Sequence, residues 1–256
     1  MTQLPWIIAH RGASGYYPEN TLPSFLGAVE LGATCVEMDI QPTADKKLVL
    51  FHDNTMERIL GVPKKITDLS WQEVIQYDVG RWKAPKWEGT KIPLLRDVLE
   101  QLPRSMKLNL ELKYYSPKDD WFEGSVLEVA LQYDLPSRGY LAIKHVEIIS
   151  FVKKRAPDCP LGLLQKGRTP KETFDLCCKW DLPFVQIRRT ALTSEWIDRF
   201  HEQGIRVNFF YSDDPEEMKH LLKDLKIDGI LTNYPGKAVQ VFQELGLPLT
   251  KYKDFS

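Results

Sequence analysis

Apolar and polar positions in this chain follow two alternating patterns. Short apolar runs are separated by longer stretches in which apolar residues recur with helical spacing. That alternation predicts βα units around a mainly parallel sheet. Eight runs read as strands: 6–9, 35–40, 108–112, 140–143, 161–164, 184–187, 205–209 and 229–231. A further run, 48–51, follows the turn-like Ala44-Asp45-Lys46-Lys47 and reads as a hairpin arm beside the second strand. Leu22, Phe25, Leu26 and Val29 recur at i, i+3, i+4 and i+7, with Asn20 or Thr21 as N-cap and Gly32 as stop. Val98, Leu99 and Leu102 belong to a helix opened near Pro93, and Ala238, Val241, Phe242 and Leu245 to a last one stopped by Gly246.

Eight strands with helices between them predict an α/β fold, a (β/α)8 TIM-type barrel with an insertion after the second strand. The 256 residues suit one such domain, so a single barrel domain is expected over 1–256. The insertion, approximately 53–91, carries its own helical pattern around 70–77 and is expected to lie over the barrel mouth. Trp71, Tyr77, Trp82 and Trp87 sit in it. Burial in a small satellite core is the commoner use of such aromatics; the functional alternative is an aromatic wall around a lipid or headgroup.

Composition narrows the partners. A net charge of -1 gives no basic field for nucleic acid or an anionic membrane, so a charged ligand needs a local site. No apolar run approaches the roughly 20 residues of a membrane span, and Met1 to Pro5 lacks the pattern of a signal peptide. No stable membrane insertion is expected. Cys35, Cys159, Cys177 and Cys178 are too few and too irregularly spaced for a disulfide framework or a zinc site, which favours reduced thiols and a cytoplasmic location.

Sites in barrels are built at the C-terminal ends of strands, and four ends here carry unusual polarity. The first strand ends in His10-Arg11-Gly12, which offers a proton and a bidentate fork to a phosphate. In Cys35-Val36-Glu37-Met38-Asp39-Ile40 alternation puts Glu37 and Asp39 on one face, and the apolar set on the other should meet the helices. Both carboxylates then point into the barrel, a costly arrangement unless a cation or protons neutralise them. Glu111 and Lys113 likewise share a face, giving a third inward carboxylate. An oxygen-only triad suits a hard cation such as Mg²⁺ or Ca²⁺. With Lys113 as the one evident counter-charge, neutralising Asp39 or Glu111 is expected to ease repulsion in the metal-free protein. The hairpin arm ends in His52-Asp53, a second histidine with a carboxylate beside it. Two histidines, one acid and one base, are what cleavage of a phosphoester asks for.

In combination these motifs resemble the glycerophosphodiester phosphodiesterase family. The likeness runs through His10-Arg11-Gly12 with Pro18-Glu19-Asn20-Thr21, Glu37-x-Asp39, His52-Asp53, Glu111-x-Lys113 and the closing Asp228-Gly229-Ile230-Leu231-Thr232-Asn233-Tyr234-Pro235. The resemblance implies a barrel, one divalent metal ion, and hydrolysis of a small-molecule glycerophosphodiester to glycerol 3-phosphate and an alcohol. It implies metal ligands at Glu37, Asp39 and Glu111, catalytic histidines at His10 and His52, and phosphate-contacting residues at Arg11 and Lys113. The chain departs from the family pattern at Ile143-Lys144-His145, Asn208-Phe209-Phe210-Tyr211 and Thr232-Asn233, all on the side expected to choose the alcohol. A lysophospholipase D-like enzyme with the same site, acting on lysophospholipids, is the nearest alternative. A catalytically silent phosphate-binding barrel would be expected to lack a histidine or ligand, and none is missing.

Overall fold

The computed structural model of the protein describes residues 4–114, 119–189 and 192–249. Both ends of the expected 1–256 domain therefore lie outside the described residues. Nine strands form one sheet: β1 Trp6–Ala9, β2 Cys35–Pro42, β3 Leu48–Leu50, β4 Lys107–Leu112, β5 Gly139–Ile143, β6 Leu161–Leu164, β7 Phe184–Arg188, β8 Arg206–Phe210 and β9 Gly229–Thr232. All eight expected strands are present, their ends shifted by at most two residues. β1 pairs in parallel with both β2 and β9, which closes the eight parallel strands into a (β/α)8 barrel. The hairpin arm β3 runs antiparallel to β2, outside the ring.

Strand alternation divides the interior from the helix layer. Val36, Met38 and Ile40 pack outward in the main core with Phe25, Val98 and Leu99, while Cys35 joins an inner cluster with Trp6, Ile8, Tyr140, Phe184 and Leu231. Trp6, Tyr140 and Phe184 sit near the strand beginnings and stack, Tyr140 and Phe184 at 4.4 Å between ring centroids. This aromatic plug closes the barrel floor. Above it come buried amides, Asn109 donating to Gln186 Oε1 (3.2 Å) and Asn208 to the Tyr140 hydroxyl (2.9 Å). Polarity thus rises towards the strand C-termini, where water and ligands have access.

Helix ends differ from expectation for local reasons. The helix expected around 98–102 spans Leu95–Gln101; Leu102 is extended because it precedes Pro103, whose ring disfavours helical backbone. The pattern at 70–77 yields one turn, Trp71–Val74, opened by Ser70 and Glu73. The Asp78 carboxylate accepts from the amides of Gly80, Arg81 and Gly89 and so draws the chain into a loop. Thr21 caps the first helix, Leu22–Glu30. The insertion has its own core of Phe51, Met56, Ile59, Ile66, Leu69, Val74, Val79 and Ile92, with Trp71 and Tyr77 packed against it. Those two aromatics serve burial, whereas Trp82 is 40% exposed. Among the described residues no helix is long and apolar enough to cross a membrane.

The floor makes a sharp stability test. A Cβ at Gly162 would lie 2.5 Å from the Tyr140 ring, itself pinned between Trp6 and Phe184. Gly162→Ala should destabilise the protein by roughly 1–3 kcal/mol through overpacking. Gly124→Ala, in the helix Trp121–Gln132 with its nearest neighbour at 3.7 Å, should be stabilising by about 0.5–1 kcal/mol. Thermal denaturation of the two variants should move the midpoint in opposite directions.

Candidate active site

The site begins with register. β2 and β4 pair so that Asp39 stands opposite Glu111 and Glu37 opposite Asn109. Adjacent strands lie about 4.8 Å apart. The carboxylates of Glu37, Asp39 and Glu111 consequently bring oxygens within 4.8 Å of one another, all three residues being buried.

Each carboxylate has a different retinue. Arg11 (φ 56°) and Gly12 (φ 78°) turn in the left-handed region, and this aims the Arg11 amide at Glu37 Oε2 (2.8 Å). Glycine is required at 12, since a Cβ there would meet Ser24 Oγ at 2.4 Å. Glu37 Oε1 is buried with no hydrogen-bond partner among the described residues. Asp39 Oδ2 accepts from Asn20 Nδ2 (2.7 Å) and lies 3.2 Å from Arg11 Nε, while Oδ1 lies 3.3 Å from Lys113 Nζ. Lys113 also reaches Glu111 Oε1 at 2.9 Å.

The electrostatics follow. Burial, then the charges of Asp39 and Glu111, push the Glu37 carboxyl well above its ordinary range, and Arg11 only partly opposes them. Burial also works against ionised Asp39, but Lys113 and Arg11, then His52 and the Asn20 amide, outweigh it and hold that carboxyl far below its ordinary range. Asp39 is thus a paired anion and Glu37 an unpaired acid. The expected relief from neutralising Asp39 is corrected by this geometry, because an asparagine in its place would take one of two carboxylate partners from each of two largely buried cations, leaving Arg11 with Glu19 and Lys113 with Glu111.

The histidines are fixed through Nδ1. His10 Nδ1 lies 2.8 Å from Asn233 Oδ1. The Asn233 amide nitrogen is committed to Asp213 Oδ2 (2.7 Å), so its oxygen faces His10, whose proton therefore sits on Nδ1. Burial, then Arg11, lowers the His10 pKa to about 4, against the Asn233 hydrogen bond that raises it. His52 Nδ1 lies 2.7 Å from Asp53 Oδ1. Gln41, the next inward residue of β2 after Asp39, donates to the carbonyls of Phe51 (2.7 Å) and Asp53 (2.9 Å) and holds that loop in place. Asp53 Oδ2 accepts from Arg58 Nε (2.6 Å), Arg58 reaches Glu19 (2.5 Å), and Glu19 pairs with Arg11 (2.9 Å). An unbroken chain of ion pairs runs from one histidine's partner to the other's neighbour.

These groups converge on one cavity of about 340 Å³, lined by His10, Arg11, Asp39, His52, Glu111 and Lys113 among others. Three buried carboxylates, one with an unpartnered oxygen, make an all-oxygen donor set that fits a hard divalent cation. A profile of the glycerophosphoryl diester phosphodiesterase family matches residues 10–237. The chain belongs to that family. Membership makes it a phosphoric diester hydrolase of glycerophosphodiesters. A glycerophosphodiester phosphodiesterase of Caldanaerobacter subterraneus subsp. tengcongensis is 28% identical, covering 94% of this chain and 98% of that protein. The human lysophospholipase D GDPD1 is 27% identical over 90% of this chain and 83% of its own length. A crystallised Oleispira antarctica phosphodiesterase, in complex with the product sn-glycerol-3-phosphate, superposes with a TM-score of 0.83 at 26% identity, covering 94% of this chain and 97% of that one.

Sequence reasoning brought all seven expected site residues to one place but missed their supports in this glycerophosphodiesterase-family site. Asn20 was read as a possible helix cap and instead clamps Asp39. Glu19, Arg58, Asp213 and Asn233 gave no periodic signal, although Glu19, Asn20 and Asn233 stand within the motifs that carry the resemblance. The remaining histidines stand elsewhere or in structural roles: His201 Nε2 meets Asp228 at 2.8 Å, and His220 meets Asp224 at 2.7 Å.

The uneven charge of the triad can be measured directly. Because burial and the charges of Asp39 and Glu111 push the Glu37 carboxyl well above its ordinary range, a cation should compete with protons there, so affinity should rise with pH. Calorimetry of Mg²⁺ or Ca²⁺ binding in buffers of different ionisation enthalpy should read a net release of protons that grows as pH falls. In the metal-free protein Glu37→Gln should leave thermal stability unchanged or raised, whereas Asp39→Asn should be destabilising, by less than the roughly 3–5 kcal/mol of an uncompensated buried charge because Arg11 and Lys113 each keep a second carboxylate.

Proposed function

We propose that residues 1–256, with the insertion at approximately 53–91, act as one barrel domain that converts glycerophosphodiesters to glycerol 3-phosphate and an alcohol. It binds one divalent cation, Mg²⁺ or Ca²⁺, through Glu37, Asp39 and Glu111, and uses His10 and His52 as base and acid. The observation that carries this reading is that both histidines, each anchored through Nδ1, line the cavity that Arg11, Lys113 and two of the carboxylates also line. Four free cysteines support a cytoplasmic location.

The bound cation supplies positive charge to a non-bridging phosphate oxygen. Arg11 and Lys113, one on each oxygen of Asp39, are spaced to take further phosphate oxygens and offset charge that grows towards the transition state. His10, its pKa lowered to about 4, carries its one proton on Nδ1 above that pH, so Nε2 is free to accept the proton of the attacking hydroxyl. As the new P–O bond forms, the bond to the alcohol breaks. His52 Nε2–H donates to the departing alkoxide, and the Asp53 carboxylate at Nδ1 holds the ring's orientation.

The human relative's name favours a second reading, action on lysophospholipids. Exposed Trp82 and Tyr211, on the wall beside His10 and Arg11, are the apolar surface an acyl chain would use. Turnover of glycerophosphocholine against lysophosphatidylcholine, with Mg²⁺, Ca²⁺ or chelator, separates the two. The first reading expects the soluble diester to be preferred and chelator to abolish activity.

His10→Ala and His52→Ala should each lower kcat by about 10²-fold or more, with the double variant costing less than the product of the two. His201→Ala should retain activity. A base with a pKa of about 4 must be neutral to act, so at saturating metal the acid limb of kcat/KM should lie near pH 4, not 6.5. Between those values the unfolded ring binds a proton and the folded one does not, so stability should decline as pH falls from about 6.5 to 4. An acid limb near 6.5 in the rate profile would remove His10 from the role of base.

A further inference from the structure

The two walls flanking the phosphate position differ in charge. The wall towards the insertion mixes signs, with Lys83 set among Glu19, Asp213, Ser14 and Asn233. The opposite wall is made by the C-terminal ends of β5, β6 and β7, and it presents Lys144, Lys166 and Arg188 to the cavity. Among the described residues none of these three pairs with a carboxylate. Lys144 Nζ donates to the Lys113 carbonyl (3.3 Å), so the wall continues directly from the lysine beside the triad. Arg168 ties the wall together from behind, donating to the carbonyls of Leu164 (3.1 Å) and Lys144 (2.8 Å). Gln165 adds a brace by accepting from the Arg188 amide (3.0 Å) and donating to the Arg168 carbonyl (2.9 Å). These bonds fix the backbone of the rim and the Lys144 ammonium, and among the described residues the Glu111 charge acts on Lys144 without pairing with it. Burial, then Lys166 and Lys113, lowers the Lys144 pKa, as expected where cations crowd one another.

Such an arrangement repels itself and attracts anions. The triad, Arg11 and Lys113 already account for the scissile phosphate, so the charge beyond them is available to another group. We propose that the wall formed by Lys144, Lys166 and Arg188 is a subsite for a second anionic group, a phosphate or a carboxylate, carried on the alcohol half of the diester. The preferred substrate is then a glycerophosphodiester whose alcohol is itself acidic. This deepens the function proposed above and rests on it. Lys144, half-buried and one step from Lys113, sets the position of the second anion; Arg188, stacked over Phe210 at 5.4 Å, offers the fork that a phosphate monoester or carboxylate takes.

Three diesters test it: glycerophosphoglycerol, the same compound with a terminal phosphate monoester, and its counterpart with a terminal carboxylate. Wild-type kcat/KM at low ionic strength should favour the charged compounds by roughly tenfold, the scale of one charge-assisted hydrogen bond, and the advantage should shrink as salt rises. Whichever charged form leads identifies the anion. Lys144→Gln and Arg188→Gln should each pull that ratio towards one. A wild-type ratio of one or below overturns the subsite, and so does a preference that survives in the Lys144→Gln/Arg188→Gln double variant. Hydrolysis of none of the three would instead overturn the hydrolase reading. Calorimetric Kd values for the same compounds on the His52→Ala variant would still decide the subsite, through the same ratio.

Discussion

The constraint on which the site depends is the burial of negative charge. Glu37, Asp39 and Glu111 lie inside a barrel whose floor is aromatic and whose walls are strand backbone, so solvent, reaching them only through the cavity at the strand ends, relieves little of their repulsion. The protein relieves it unequally. Asp39 takes two cations and an amide; Glu111 shares Lys113; Glu37 has one backbone amide and an oxygen that meets no donor among the described residues. A site satisfied by its own side chains would have no need of a cation. Here the residual imbalance sits on Glu37, whose Oε1 is buried and without a partner among the described residues.

The same imbalance ties the insertion to the barrel. Arg11 is shared between Asp39 and Glu19, and Glu19 is shared between Arg11 and Arg58 of the insertion. Arg58 in turn holds Asp53, the partner of His52. Moving the insertion would therefore disturb both histidine environments at once, although it contributes little to the cavity lining itself. Lys83 adds a second tether by donating to the Ser14 carbonyl at 2.6 Å. Its hydrophobic core, separate from the main one, makes the insertion a stable platform for these bonds rather than a loose lid.

How much of this was legible in the sequence depended on periodicity. Strands announce themselves by alternation, and alternation alone orients Glu37, Asp39 and Glu111, because placing Met38 and Ile40 under the helices forces the intervening carboxylates inward. Barrel closure and the hairpin arm were readable for the same reason. Asn20, Glu19 and Asn233 were not, since they reach the site from turns whose backbone conformation has no repeating signature, nor was Arg58, which sits in a single helical turn, Glu57–Leu60, too short to show a period. Asn20 itself has φ 55°, a backbone state chosen by its bonds to Asp39 rather than by any local preference for helix capping. The charge state of Asp39 failed for a related reason: the pattern offered Lys113 as a neighbour on the strand but gave no hint that the turn at Arg11 would deliver a second cation.

That division between strand and turn also explains how one site can keep its chemistry while changing its substrate. The three carboxylates are fixed by strand register, where a shift of one residue would reverse every side chain, His52 by the bonds of Gln41 in β2 to its loop, and His10 by Asn233 just past β9. Lys144, Lys166 and Arg188 come from the last residue of β7 and the loops just past β5 and β6, fastened to backbone carbonyls and to Gln165 but not to the triad. The wall's tie to the catalytic cluster is the bond from Lys144 to the Lys113 carbonyl, a backbone group that any residue at 113 would supply. Side chains there can be exchanged with little strain on the carboxylates, so the charge of the accepted alcohol is set where the barrel tolerates change, and the bond broken is set where it does not.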